Sequence, residues 1–285
     1  MRRFLRLLKS ALGRCFDHDV FGIAKAAAYS GIITLFPAML VLAAILAASN
    51  QRELLISLVT RALWRILPAG TATAAISYFT SSQDRPIPLL ITTSVLTFWT
   101  ASGMMISWME GFRHAYDMPR VWGLVQERLV AFYLVLLSFI PGTFATGLVA
   151  FGSQLEKWIV LRAPGAFHVY ILLAWTGVRW TISAATSVAV LAIIYHYAVP
   201  RTRPWHTVLP GAALATIIWF AATLAFGFYL QHVSEYSLVY GSVGVAITLM
   251  VWMYLVSLVV LFGAEFNALI HPRYVSRNSR SHSSR

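Results

Sequence analysis

The sequence predicts an all-α fold. The expected architecture is a polytopic membrane bundle of six transmembrane helices, with amphipathic helices at the interfaces and both termini in the cytoplasm. Three observations predict it. Of 285 residues, 59% are hydrophobic and only 11% are charged, whereas a soluble domain carries about a quarter charged residues. Six uncharged, mostly apolar runs of at least 20 residues fill 26–51, 86–109, 129–155, 180–200, 204–234 and 236–264. A helix crosses the hydrocarbon core with about 20 residues at about 1.5 Å each, and in lipid its backbone must satisfy its own hydrogen bonds. Finally, six spans divide the cations unequally. The first 25 residues, 110–128, 200–207 and the tail from His271 carry six, three, two and four, which makes 15 of the 22 Lys and Arg on one side. The positive-inside rule puts that side in the cytoplasm.

Three segments follow from these limits. Residues 1–22 read as a cytoplasmic interfacial helix, 23–271 as the membrane domain and 272–285 as a basic, disordered tail. In "RRFLRLLKSALGRCF", Arg2, Arg3, Arg6, Lys9 and Arg14 share one face, and Phe4, Leu5, Leu7, Leu8, Leu12 and Phe16 share the other. That pattern suits a helix lying on the anionic inner leaflet, so membrane lipids are its expected partners. "DHD" (Asp17, His18, Asp19) reads as a polar linker. Span 1 contains "AAAYSGIITLFPAMLVLAAI". Its small residues allow close helix contact, and Pro37 removes a backbone donor and predicts a kink. "RELLISLVTRALWRILP" and "GTATAAISYFTSSQ" read as short outer helices. Span 2 ends in "GMMISWMEGFRHAYDMPR", and span 3, near 129–151, carries Pro141-Gly142. The run 163–178 has 16 residues between Pro164-Gly165 and Arg179, which suits a re-entrant or interfacial piece. Span 4 is expected from Trp180 to Val199, span 5 to near Leu230, and span 6 from near Tyr240 as far as Ile270.

Four stretches carry a family resemblance. "AAAYSGIITLFPAML", "FWTASGMMISWMEGFRHAYD", "IYHYAVPRTRPWHTVLPGA" and "YGSVGVAITLMVWMYLVSLVVLFGAEFNALI" occur in this order over roughly 20–271. Together they resemble the signature blocks of the YihY/BrkB family of six-span bacterial inner-membrane proteins. The matching positions are Tyr29, Pro37, Glu110, Gly111, Tyr116, Tyr195, Pro200, Pro210, Gly211, Tyr240, Gly241, Gly263, Glu265 and Asn267. The resemblance implies an inner-membrane location. For activity it implies solute export or lipid movement, beside an older ribonuclease label and labels for virulence and serum resistance. It transfers no catalytic residue.

The residues themselves argue against an enzyme. A nuclease needs grouped carboxylates for metal or an acid–base set. Asp17, Asp19, Glu110, Asp117, Glu127 and Glu265 are scattered in sequence, and the eight His are dispersed. No metal or cofactor motif is visible. Met104, Met105, Met109 and Met118 have the irregular spacing of core packing. Cys15 stands alone, so it forms no intramolecular disulfide or CxxC site. The net charge of +12 sits mainly on the inner flanks of the spans, where topology requires it, so nucleic acid is not an expected partner. No cleavable signal peptide is expected.

What remains is polar chemistry at helix ends. Glu265 and Asn267 lie near the cytoplasmic end of span 6, and Glu110 and Arg113 end span 2 one helical turn apart, where they can pair. Arg201 and Arg203 follow span 4. These six residues form a candidate polar gate or vestibule, or else a set of salt bridges that locks the bundle. Residues 258, 261, 262, 265 and 269 share a stripe on which Glu265 is the only charge, so it should face inward and take donors from a Tyr, from Arg113 or from Arg201 and Arg203. Pro37, Pro141, Gly142, Pro210, Gly211, Gly241, Gly244 and Gly263 are the candidate kink and close-packing positions. The expected function is a transporter or lipid flippase, with a non-transporting scaffold as the alternative. Oligomeric state is not legible.

Overall fold

The computed structural model describes residues 2–48, 87–142, 168–200, 204–232 and 236–270, and every regular element among them is an α-helix. In chain order these are α1 (Arg2–Asp17), α2 (Val20–Ala48), α3 (Ile87–Ala115), α4 (Leu124–Gly142), α5 (His168–Tyr197), α6 (Trp205–His232) and α7 (Tyr236–Ile270). Among the described residues, four stretches are long and apolar enough to cross a membrane: Leu124–Gly142, Ala174–Tyr197, Trp205–Tyr229 and Ile247–Ile270. The apolar part of α2 that is fully described, Val20–Leu35, is shorter. The expected outer helices and the basic tail lie outside the described residues, as do Arg201 and Arg203.

One boundary differs from the sequence reading. Residues 168–178 are neither re-entrant nor a separate interfacial piece; they are the first turns of α5, which continues through Arg179 to Tyr197. A single Arg does not stop a helix, because its side chain loses little rotamer freedom there. The charge interrupts the hydropathy but not the backbone.

The surface is apolar where a soluble protein would be polar. Ile217, Leu224 and Phe228 of α6 and Leu129, Leu136, Phe139 and Ile140 of α4 are exposed. Their spacing of three, four and seven residues lays each set along one helix face, as lipid contact requires.

The chain divides into two compact units. One comprises Met1–Asp19, Met109–Trp219 and Val259–Arg285; the other comprises Val20–Trp108 and Phe220–Leu258. In the second unit α2 meets α3 and α7 through small residues. A Cβ on Gly31 would lie 3.3 Å from the sulfurs of both Met104 and Met253, and one on Gly103 would lie 3.4 Å from Ser30 Oγ. Methionine suits this role because its flexible thioether fills irregular gaps. Pro37 is buried within a helix that runs on to Ala48. In the first unit the ends of several helices meet, and there the polar residues collect.

Candidate functional site

Glu265 is fully buried in the last turns of α7, as expected of an inward direction; of the stripe it was placed on, Leu261 is buried and Leu258, Phe262 and Leu269 are half-buried, because residues 263–268 are buried on every side. Its partners come from the opposite end of the sequence. His18 Nδ1 lies 2.6 Å from Glu265 Oε1, and Arg14 Nε lies 3.3 Å from Oε2. The guanidinium lacks the alignment of a hydrogen bond to Oε2, so charge alone holds that oxygen. Arg14 also donates through Nη2 to the carbonyl of Ala115 at 3.0 Å. That carbonyl belongs to the last turn of α3, where acceptors have no partner within the helix and a cation suits the helix dipole.

A second carboxylate completes the cluster. Asp117 Oδ2 lies 3.4 Å from Arg14 Nη2, and Oδ1 lies 4.0 Å from His18 Nε2. The backbone explains its placement. Met118 N–H donates to Arg113 C=O and Asp117 N–H to His114 C=O, the paired bonds that close a helix with a left-handed residue. Asp117 is that residue, at φ 50°. Asp19 does the same after α1, at φ 49° with its N–H on Phe16 C=O. Short Asp side chains tolerate this conformation. The "DHD" linker is therefore a helix terminus that delivers His18 to Glu265.

Asn267, also buried, performs a different task. Its Oδ1 accepts from Gly211 N–H at 2.6 Å, and its Nδ2 donates to Val208 C=O at 3.0 Å. Pro210 has no N–H and disturbs the backbone of α6 at this point. The amide bonds to the strand of helix on both sides of that proline. Contact is close enough that a Cβ on Gly211 would strike Gly263 O and the Asn267 side chain. One on Gly263 would strike Tyr195 Oη. Tyr195 itself donates to Val260 C=O at 2.6 Å and packs edge-on against Phe112.

The remaining predicted residues separate. Glu110 is exposed, and no ion pair joins it to Arg113. Instead Arg113 Nη2 lies 3.6 Å from Glu127 Oε1, and Arg120 binds the other oxygen of Glu127. The reason is depth: Glu127 is buried in the first turn of α4 and needs charge partners, whereas Glu110 can be solvated. Likewise Arg113 does not supply Glu265. Of the predicted packing glycines, Gly211 and Gly263 stand at contacts. Gly142 has no heavy atom within 4 Å of the place a Cβ would take, and Pro141 lies beside it near the end of α4. Gly241 and Gly244 fall within α7, but their surroundings lie outside the described side chains.

The sequence reading missed Arg14 and His18. It placed Arg14 on the basic face of α1, yet at about 100° per residue Arg14 lies some 80° beyond Arg6, beside Ala11 and His18. Ala11 and Cys15 are both buried, so that side of α1 packs on protein. The offset was the available signal.

A long apolar helix ending in Gly263, Glu265 and Asn267, joined to a proline-disturbed α6, is matched across the chain. The family described as virulence factor BrkB covers residues 11–285. The chain belongs to the BrkB family. It is a membrane protein. The ribonuclease-like protein YfkH of Bacillus subtilis (strain 168) is 28% identical over 273 residues, 94% of this chain and 96% of that one. A UPF0761 membrane protein of Aromatoleum aromaticum is 27% identical over 97% of this chain, which spans 65% of that relative. Another from Pseudoalteromonas atlantica is 30% identical over 54% of this chain and 50% of its own. This BrkB-family chain thus matches roughly half to two thirds of those UPF0761 relatives. No solved structure matches it.

Proposed function

We propose that this BrkB-family protein is a multi-pass protein of the bacterial inner membrane that moves a lipid or another amphiphile, rather than an enzyme. The observation that carries the reading is the fully buried carboxylate of Glu265 among helix ends, met by the half-buried Arg14 and His18, with the exposed Asp117 beside them. Buried ions in a membrane bundle are expensive and mark functional positions by default. An amphiphile needs one polar region beside extensive apolar surface, and the exposed faces of α4 and α6 supply the latter. A six-span topology with cytoplasmic termini follows the distribution of Lys and Arg along the chain.

Against nuclease chemistry, the two buried acids among the described residues already have partners, Glu265 the Arg14 guanidinium and His18 Nδ1, and Glu127 the guanidinium groups of Arg113 and Arg120. Glu127 has a guanidinium against each oxygen, and Glu265 is fully buried. The ribonuclease wording belongs to the Bacillus relative.

The test is reconstitution into vesicles with a head-labelled fluorescent phospholipid and a membrane-impermeant quencher. Transport predicts faster loss of inner-leaflet fluorescence with the native protein and a slower rate with Glu265→Gln. Folded protein that never exceeds protein-free vesicles, whichever amphiphile is supplied, returns the scaffold reading. RNA cleaved with Mg²⁺ by the native protein but not by Glu265→Gln or Glu127→Gln would return the enzyme.

A further inference from the structure

The geometry points to the exposed side of α1 as a docking surface for the anionic leaflet of a lipid bilayer, held flat by the cluster at Glu265. This names a partner for the membrane protein proposed above and rests on that reading.

The orientation of α1 follows from its contacts. Phe4 packs edge-on against Phe266, with ring centroids 5.9 Å apart. His18 meets Glu265 at 2.6 Å. Phe4 lies in the first turns of α1 and His18 just past its end, fourteen residues on and about 21 Å along the axis; their partners are neighbours on α7, about 1.5 Å apart. Side chains of this length cannot span such a difference between two helices lying side by side. The N-terminal helix therefore crosses the last turns of α7. If α7 traverses the membrane, α1 lies along its surface.

Burial then divides α1 into three sectors. Leu7, Leu8, Ala11, Arg14, Cys15 and His18 are buried or half-buried and face protein. Leu5, Leu12 and Phe16 are 52%, 52% and 68% exposed. Their angular positions fall within about 40° of one another, so they form one narrow apolar strip. Arg6, Lys9, Ser10, Gly13 and Asp17 are exposed and occupy the next sector, with the two cations in its N-terminal part and Asp17 at its C-terminal end. A helix fixed across a span, with an apolar strip on one flank and cations on the adjoining flank, offers acyl chains and phosphates what each prefers. The cationic flank is what selects the occupant: a second copy of this helix would set Arg6 and Lys9 against themselves, and an anionic bilayer would not.

Arg14 is excluded from this surface. It counts with the basic residues in the sequence, but it is spent on Glu265, Asp117 and the carbonyl of Ala115. The lipid-facing cations are those N-terminal to it, so headgroup binding and the Glu265 cluster act on opposite ends of one rigid helix.

The experiment places nitroxide labels at Leu12 and at Ser10 of full-length protein in which Cys15 is Ser. The protein is embedded in nanodiscs of phosphatidylethanolamine with phosphatidylglycerol, or of phosphatidylcholine alone. Relaxation by oxygen reports acyl chains and relaxation by a water-soluble nickel chelate reports solvent. In the anionic discs the Leu12 label should be open to oxygen and shielded from nickel, and the Ser10 label the reverse. The Arg6→Gln/Lys9→Gln double variant should reduce the bound-to-free ratio about 30-fold, each charge changing it about five-fold. Phosphatidylcholine alone should act in the same direction. A Leu12 label shielded from both reagents would mean a protein partner or a second copy, and one open to nickel in anionic discs would mean a solvated helix; either overturns the proposal. A label at Leu224, exposed on α6, separates the two readings. Open to oxygen in every disc, it keeps the membrane reading whatever α1 does; open to nickel, it removes that reading first.

Discussion

Asp117 occupies a backbone position that glycine usually fills, and it places a carboxylate beside Arg14 and His18. Asp117→Gly should therefore preserve the turn while removing the charge. Because Asp117 is 57% exposed in its side chain, the change in unfolding free energy should stay within about 1 kcal/mol. Glu265→Ala should behave differently. It leaves Arg14 without its buried counter-charge and His18 Nδ1 without its partner, a loss of about 3–5 kcal/mol that a thermal unfolding series in detergent would register. Glu265→Gln keeps an acceptor for His18 and should lose less. Equal effects of Gln and Ala would mean that charge alone matters. Cys15 gives an independent reading of the same packing. Burial, and secondarily the charge of Glu265, push its thiol up to about 12 from an ordinary 9.0. The thiolate is the reactive form, so iodoacetamide at pH 8 should leave Cys15 unmodified in the folded protein and label it after denaturation. The sign for stability follows: the folded state favours the protonated thiol, so its contribution is complete below pH 9.0 and declines as pH rises toward 12. At this scale the inward direction of Glu265 was legible in the sequence. Its partners were not, since His18 lies 247 residues away, with Arg14 farther still, and nothing local marks the pairing.

At the scale of elements, periodicity and hydropathy located α1, α2, α3, α6 and α7 well. Their failures have physical causes. The α5 reading broke at Arg179 because a charge count measures transfer to lipid, whereas the helix depends on backbone hydrogen bonds that Arg179 leaves intact. The α1 reading found two faces where there are three. A hydrophobic-moment argument asks only for water on one side and oil on the other, and α1 has protein as a third neighbour. The pairing of α6 with α7 was half visible: Pro210-Gly211 and Gly263 were recognisable as packing residues, but the Asn267 amide that joins them was not. Asn267→Leu should strand Gly211 N–H and Val208 C=O in the protein interior. A destabilisation of about 2–6 kcal/mol is expected, from two buried backbone groups at about 1–3 kcal/mol each. Hydrogen exchange at Gly211 would localise it.

For the molecule as a whole, composition alone indicated a helical membrane protein, and the helices and family bear that out. The number of spans and their direction rest on the charge asymmetry, and they can be tested with reporter fusions. Fusions at Ser10 and Ser279 should report the cytoplasm, and those at Thr71 and Ser234 the periplasm. A C-terminal fusion on the outside would require an odd number of spans. Synthesis adds a constraint of its own. Arg14 and His18 leave the ribosome long before Glu265, which follows 247 residues after His18. At about 5–20 residues per second they wait about 12–50 s for their carboxylate. Gly211 waits a shorter time for Asn267. The newborn chain therefore carries its polar cluster half-made until the end of α7 arrives, and only then can α1 be sealed in place. A chain interrupted before Glu265 would insert its earlier spans and yet leave Arg14 with only Asp117 and the Ala115 carbonyl to hold it.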